Sequence, residues 1–586
     1  MSDTLLKPRS AVDTARIWNA EAVFADRAAW QAERTALAAA IPELGKAAGT
    51  LAAASASARH LADFLLASQA LARRLGTIYF YAYMSQAVDT GDSEAQSMVG
   101  QAGAVNAAYQ AAVSFLEPEL LTIGQARLDA WMQALPELGT WHHYFDDLFR
   151  KQAHVRSAEV EEVLGLVAEV FDSAAGIHDM LVDSDLKFRP TSGDVAVAQS
   201  TIENHLGSTN RELRKSAWES YCDSHLAMAN TLAASLSTAV RKDVFNARVR
   251  RFGSSLDAAL FADNIPRAVY DSTIDTFKRN LPVWHRYWRI RRKALGLKKL
   301  AHYDIWAPLS DQPPVVPYEQ SVDWICRAME PLGSDYVETL RRGCLQERWV
   351  DVYPTVGKSS GAFSFGHPGT APYIMMSYAD DLSSLSTLTH ELGHSMHSWH
   401  SWKHQPYAYA DYSIFVAEVA SNFHQAMTRA WLFEEKKNDR AFQIALIDEA
   451  MENIHRYFFI MPTLARFELE FHQRVERGEG VTAGDLNALM ADLFAEGYGG
   501  ELEIDREREG STWAQFGHLY MNYYVFQYAT GISAAHALAG PILAGDRQAA
   551  GRYREFLSTG SSVYPVEALR RAGVDMTTSV PMEQGF

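Results

Sequence analysis

His390-Glu391-Leu392-Gly393-His394 is the segment of this chain whose residue types and spacing most directly imply chemistry. Residues four apart on an α-helix share a face, so two imidazoles at this spacing can grip one ion while Glu391 lies beside them. Zinc suits such a pair: imidazole nitrogens bind it at about 2.0–2.1 Å, and a catalytic site keeps one of four positions for water. Leu382, Leu385 and Leu388 precede the motif at three-residue spacing and put it on an amphipathic helix.

The third ligand has two candidates. His400 lies six residues after His394, the spacing of an extended motif that needs glycine at position 397 to leave the helix; here that position is His397. Glu418 lies among Phe415, Val416, Val419 and Phe423, an apolar stripe that would dock a second helix. A carboxylate there is costly to bury without a cation. A loop containing Pro406 lets the second helix return against the first, so Glu418 is the expected ligand. His397, His400 and His404 then stand around the site or on the surface.

A third element lies near the C-terminus, where Tyr520, Tyr524 and Tyr528 recur every four residues after His518. The spacing predicts one helical face with a hydroxyl on every turn. Facing a metal site, these hydroxyls and His518 could donate to a developing oxyanion. The alternative is an aromatic core stripe, in which each buried hydroxyl needs a partner.

The elements that must position these groups are mostly helical. Residues 29–75, 93–116 and 155–182 carry apolar positions at helical spacing. Residues 183–200 contain Pro, Gly and alternating Val and predict a short hairpin, with a boundary near it. Helices resume at about 208, where Asn210 is a capping residue. The basic run 286–299 reads as a solvated face or an anion site. Residues 348–379 form a second non-helical stretch: Gly357, Gly361, Gly366 and Gly369 surround Phe363, and 371–378 is strand-like, so a small sheet is expected. From about 382 onward the pattern is helical again. The expected organisation is an N-terminal helical region, 1–185, and a catalytic region, 186–586.

Composition bounds the function. The chain has 586 residues, 48% hydrophobic and 21% charged, with a net charge of −17. That balance argues against nucleic acid as a partner, since phosphates need a basic surface. No run of about 18 apolar residues suggests a membrane helix, and no secretory signal is visible. Three widely spaced cysteines give neither a disulfide framework nor a CxxC site, which points to the cytoplasm.

With these residues in view, the sequence resembles the oligoendopeptidase F family, relatives of thimet oligopeptidase within the zincin metallopeptidases. Residues 247–261, 302–309, 357–364, 415–421, 518–528 and 553–557 resemble its blocks in order. The resemblance implies a mainly α fold: a zincin-type core with a small β-sheet, and helical lobes enclosing a deep substrate channel. It implies one Zn2+ per chain on His390, His394 and Glu418, with Glu391 as general base. His518 and, with them, Tyr524 and Tyr528 would be oxyanion donors. Substrate would pair with strand 371–378, which carries Tyr373 and Met375, under the Gly357–Gly361 loop and near Tyr520. The implied activity is hydrolysis of internal bonds in short unstructured peptides. Departures from the family pattern are Gln425 where a glutamate is usual, Ser377 for an asparagine, and Met521 and Phe526 for tyrosines. Gln425 can still accept a hydrogen bond from a ligand imidazole, without the charge. Two other readings are an exopeptidase of the same architecture and an inactive peptide-binding relative.

Overall fold

A computed structural model of the chain describes residues 6–193, 195–199, 201–310 and 313–586. It is mainly helical. Five short strands occur among the described residues: β1 (Leu300–Ala301), β2 (Val350–Asp351), β3 (Phe363–Phe365), β4 (Tyr373–Met375) and β5 (Leu502–Glu503). β1 pairs in parallel with β5. β2, β4 and β3 form a three-stranded sheet in that order, with β2 parallel and β3 antiparallel to β4.

The described chain forms two compact units, each assembled from three stretches. The first comprises Met1–Ala153, Val315–Leu432 and Pro541–Ala572; the second comprises His154–Pro314, Phe433–Gly540 and Gly573–Phe586. These units divide the chain differently from a cut at 185/186. The physical reason is packing: helix Ala58–Val88 lays Phe80, Met84 and Ala87 against Tyr373 and Met375 of the small sheet, together with Trp18. The early helices are therefore part of the body that carries the His-Glu-x-x-His segment.

Within that first unit two long helices place the candidate metal-ligating residues. The motif helix, Leu382–His404, starts at Asp381, whose side chain accepts the Ser384 N–H at 2.7 Å. Such a cap satisfies one of the amide groups left open at a helix start. Leu385, Leu388, Leu392 and Met396 are its buried face. The ligand helix, Ile414–Glu435, buries Phe415, Val416, Val419 and Phe423. The two approach most closely at Gly393, where a Cβ would lie 2.4 Å from the Ala420 carbonyl oxygen and 2.5 Å from Ser421 Cα. Only a residue without a side chain allows that approach. Helix Arg547–Leu557 packs on the other flank, with Tyr553 stacked on Phe423 at 3.7 Å.

One local expectation differs from the structure. Residues 183–200 form no strand pair among those described; one turn closes there, with the Thr191 N–H donating to the Val195 carbonyl at 3.0 Å. Short alternating runs need a neighbouring strand to become a sheet, and none is offered. The helix that follows is Arg211–Ala227, and Asn210 does cap it, accepting from the amides of Glu212 and Leu213. The basic run 286–299 is mostly a solvated face, as expected, with Arg289 pairing with Glu501 at 3.0 Å; Arg291 is the exception, buried against Asp448 at 2.8 Å.

Candidate active site

His390 and His394 sit one turn apart on the motif helix, their rings 4.9 Å apart and nearly perpendicular. Both turn their Nε2 atoms toward one carboxylate oxygen of the ligand helix. Glu418 Oε2 is 3.3 Å from His390 Nε2 and 3.8 Å from His394 Nε2. One donor atom from each residue falls within 4.8 Å of the others. Two imidazoles and a carboxylate clustered on two helices are the donor set of a catalytic zinc site with an open fourth position.

His400 has no part in this cluster. The motif helix runs unbroken to His404, so His397 and His400 point elsewhere: His397 stacks on Tyr412 at 3.6 Å, and His400 on Tyr336 at 5.5 Å. Of the two candidates for a third ligand, Glu418 is the one that clusters with His390 and His394.

The surrounding residues fix the ligands. Gln425 Nε2 donates to Ser386 Oγ at 2.8 Å, which leaves its Oε1 to accept from His390 Nδ1 at 3.2 Å. That hydrogen bond puts the ring proton on Nδ1 and leaves Nε2 free to bind a metal. Ser421 Oγ donates to Glu418 Oε2 at 2.9 Å, and Asn422 Nδ2 donates to the Glu418 carbonyl at 2.8 Å. For the side chains alone, burial opposes charge on His390, but the hydrogen bond and charge of Glu418 win and hold the ring up at about 9. Burial also opposes the charge on Glu418, yet His390 pulls it down to about 2. Burial, aided by the charge of His390 and opposed by that of Glu418, takes His394 down to about 4. A buried carboxylate that draws a proton onto its neighbour is one that wants a cation, so the residues fit a divalent ion.

Glu391 is 6% exposed and lies beside this cluster. Burial, with the nearby Glu418 charge, raises its carboxyl to about 7, against the opposing pull of His390 and a hydrogen bond from the Ser364 backbone. Ser364 belongs to β3, and its hydroxyl meets that of Ser395, on the motif helix, at 2.8 Å. The sheet therefore positions the carboxylate as well as flanking it.

The strand expected to receive substrate is corrected by the topology. β4 is the central strand, hydrogen-bonded through both edges, so its backbone has no free side for a peptide to join. Tyr373 and Met375 are 2% and 0% exposed, and the Tyr373 hydroxyl donates to the Asn19 carbonyl at 2.7 Å. The outer antiparallel strand is β3. Gly357 and Gly361, both with left-handed backbone (φ 81° and 83°), form the loop before it. Thr90 anchors that loop by donating from its N–H to the Gly357 carbonyl at 2.7 Å.

The late tyrosines belong to the second unit and are also corrected. Residues 513–528 are not one helix: Gly517–Tyr520 is a 3₁₀ turn, and a helix begins only at Phe526. Tyr520 is buried with its ring 4.8 Å from His178, apart from the stripe it was expected to join. His518, Tyr524 and Tyr528 do gather. Tyr524 and Tyr528 hydroxyls lie 3.0 Å apart, and both rings are 5.9 Å from His518. Burial lowers the His518 pKa, with Arg456 adding to the effect.

Sequence reasoning missed Gly393, Ser386, Ser421 and Ser364. Gly393 was findable, because a glycine inside a helix costs about 1 kcal/mol against alanine and needs a reason. The serines carry no sequence signal.

The family model "Peptidase family M3" matches residues 204–586, and the model "Oligopeptidase F" matches residues 119–188. The oligopeptidase PepF of Bacillus subtilis is 37% identical over 99% of this chain and 86% of its own length. The group B oligopeptidase PepB of Streptococcus agalactiae is 33% identical over 99% of this chain and 96% of its own. The crystal structure of oligoendopeptidase-F from Enterococcus faecium superimposes with a TM-score of 0.74 at 28% identity, covering 95% of each chain.

Proposed function

The chain belongs to peptidase family M3, and from that membership we propose that it is a zinc-dependent oligoendopeptidase acting on short unstructured peptides in the cytoplasm. The carrying observation is the cluster of His390, His394 and Glu418 with the buried carboxyl of Glu391 beside it. Its likeness to oligopeptidases along almost the whole chain supports the substrate class.

His390, His394 and Glu418 would hold the ion. When bound, zinc supplies Lewis-acid chemistry, acidifying water and polarising a carbonyl. Glu391 accepts the proton of the attacking water on its carboxylate and returns it to the leaving amine nitrogen. A buried carboxylate beside the ion is placed to take and give a proton. The hydrogen bond from the Ser364 backbone keeps that carboxylate in place. β3, as the outer strand, is the element to which an extended peptide would add by main-chain pairing, with Gly357 and Gly361 in the loop above it. His518, Tyr524 and Tyr528 would donate hydrogen bonds to the oxyanion.

The test is an internally quenched peptide blocked at both ends, incubated with and without a chelator, with products identified by mass spectrometry. An internal cut that the chelator abolishes and zinc restores supports the proposal. Cleavage only of free-ended peptides, by one or two terminal residues, would make the enzyme an exopeptidase. No cleavage of any peptide, with tight peptide binding, would make it an inactive relative.

No helix among the described residues is long and apolar enough to cross a membrane.

A further inference from the structure

Helical periodicity does not hold the Tyr524–Tyr528 hydroxyl pair. Residues 521–525 bridge the 3₁₀ turn and the helix that starts at Phe526, and within them Tyr523 has a φ of 48°. An aromatic residue in the left-handed region is strained and stays there only when its surroundings over-determine it. The surroundings are explicit. The Tyr523 ring is buried, 4.6 Å from the His472 ring and edge-on to Tyr270 at 5.8 Å. Its backbone N–H donates to Glu468 Oε1 at 2.7 Å.

Glu468 lies on helix Met461–Glu476 and is 2% exposed. Its second oxygen is buried without a hydrogen-bond partner. Burial pushes the carboxyl well above its ordinary value. One turn on, His472 places Nδ1 2.9 Å from the Glu468 carbonyl and Nε2 3.3 Å from Asp243 Oδ2. A half-satisfied buried carboxyl costs stability, and an apolar side chain would fill the same space better. Local rules broken in this way mark functional sites. What Glu468 does is fix one amide, and that amide precedes Tyr524.

We propose that Glu468 is a positioning residue: by holding the Tyr523 N–H it keeps the left-handed backbone that aims the Tyr524 and Tyr528 hydroxyls. This rests on the reading of those hydroxyls as oxyanion donors. Glu468 touches no reacting atom and acts through the backbone of its neighbour.

The experiment measures kcat and KM on the quenched peptide for Glu468→Leu, Glu468→Asp and Glu468→Gln, with thermal melting of each. Asp is included because it withdraws the acceptor by one methylene with little change in volume, should Leu fail to fold. The expected result is kcat about tenfold or more lower for Leu and Asp, with KM within about twofold, and Gln within about threefold of the parent. A Tyr524→Phe/Tyr528→Phe variant supplies the cycle. Adding Glu468→Asp to it should cost little further kcat, because the groups Glu468 aims are already gone. Unchanged kcat in the Asp variant, or a loss that adds in full to that of the double Phe variant, overturns the inference. Unchanged kcat in the double Phe variant overturns the oxyanion reading along with it.

Discussion

His390 shows how a ligand is tuned by what lies behind it. Its Nδ1 meets Gln425 Oε1 at 3.2 Å, where the family resemblance led us to expect a carboxylate. A neutral acceptor orients the ring yet leaves it less basic than a charged one. Removing that acceptor by Gln425→Ala should lower metal affinity about 10- to 100-fold, and Gln425→Glu should raise it, as read by competition with a chelator of known affinity. Equal affinities in all three would show that Gln425 has no such role. At this scale the sequence was informative: a pair of histidines four apart needs no tertiary information, and Glu418 betrayed itself as a charge in an apolar stripe. Ser386 and Ser421 could not be found that way, since their roles depend on which helix packs where.

Helices and strands were legible as types more readily than as neighbours. The small sheet at 348–379 was expected, but strand order is written in long-range pairing. β2 arrives in parallel from residue 350 and leaves β4 in the centre, so the antiparallel outer strand is β3. The stretch 513–528 looked helical because no Gly or Pro interrupts 518–528; a buried carboxyl on a distant helix overrides the periodicity at Tyr523. The helix pair that carries the candidate metal site depends on Gly393, since a methyl there would collide with the Ala420 carbonyl at 2.4 Å. Gly393→Ala should therefore cost about 1–3 kcal/mol of stability by overpacking. It should also weaken metal retention, because spreading the helices moves Glu418 away from both imidazoles. Thermal melting and metal analysis of the purified variant check this; a variant as stable and as metal-loaded as the parent would contradict it.

Over the whole molecule, the two family models match consecutive stretches, residues 119–188 and 204–586, whereas the compact units are woven from separate stretches. Evolutionary segments and folding units differ here because apolar residues far apart in sequence share one core. Trp18, Phe80 and Met84 cover Tyr373 and Met375, so a chain beginning at residue 186 would expose that face of the sheet. Such a chain should fail to retain one metal per molecule and should melt without a cooperative transition. A folded, metal-loaded product would show that the early helices are dispensable to the site. The net charge of −17 carries no information about the fold, and it set aside nucleic acid without naming a substrate.

The central claim is that Glu391 moves the proton while His390, His394 and Glu418 hold the metal. Glu391→Gln separates these roles with minimal change in shape. Measured side by side, metal content and turnover of the quenched peptide should diverge: one zinc retained per chain, and kcat down by about a thousandfold or more. Turnover comparable to the parent in the metal-loaded variant would contradict the account.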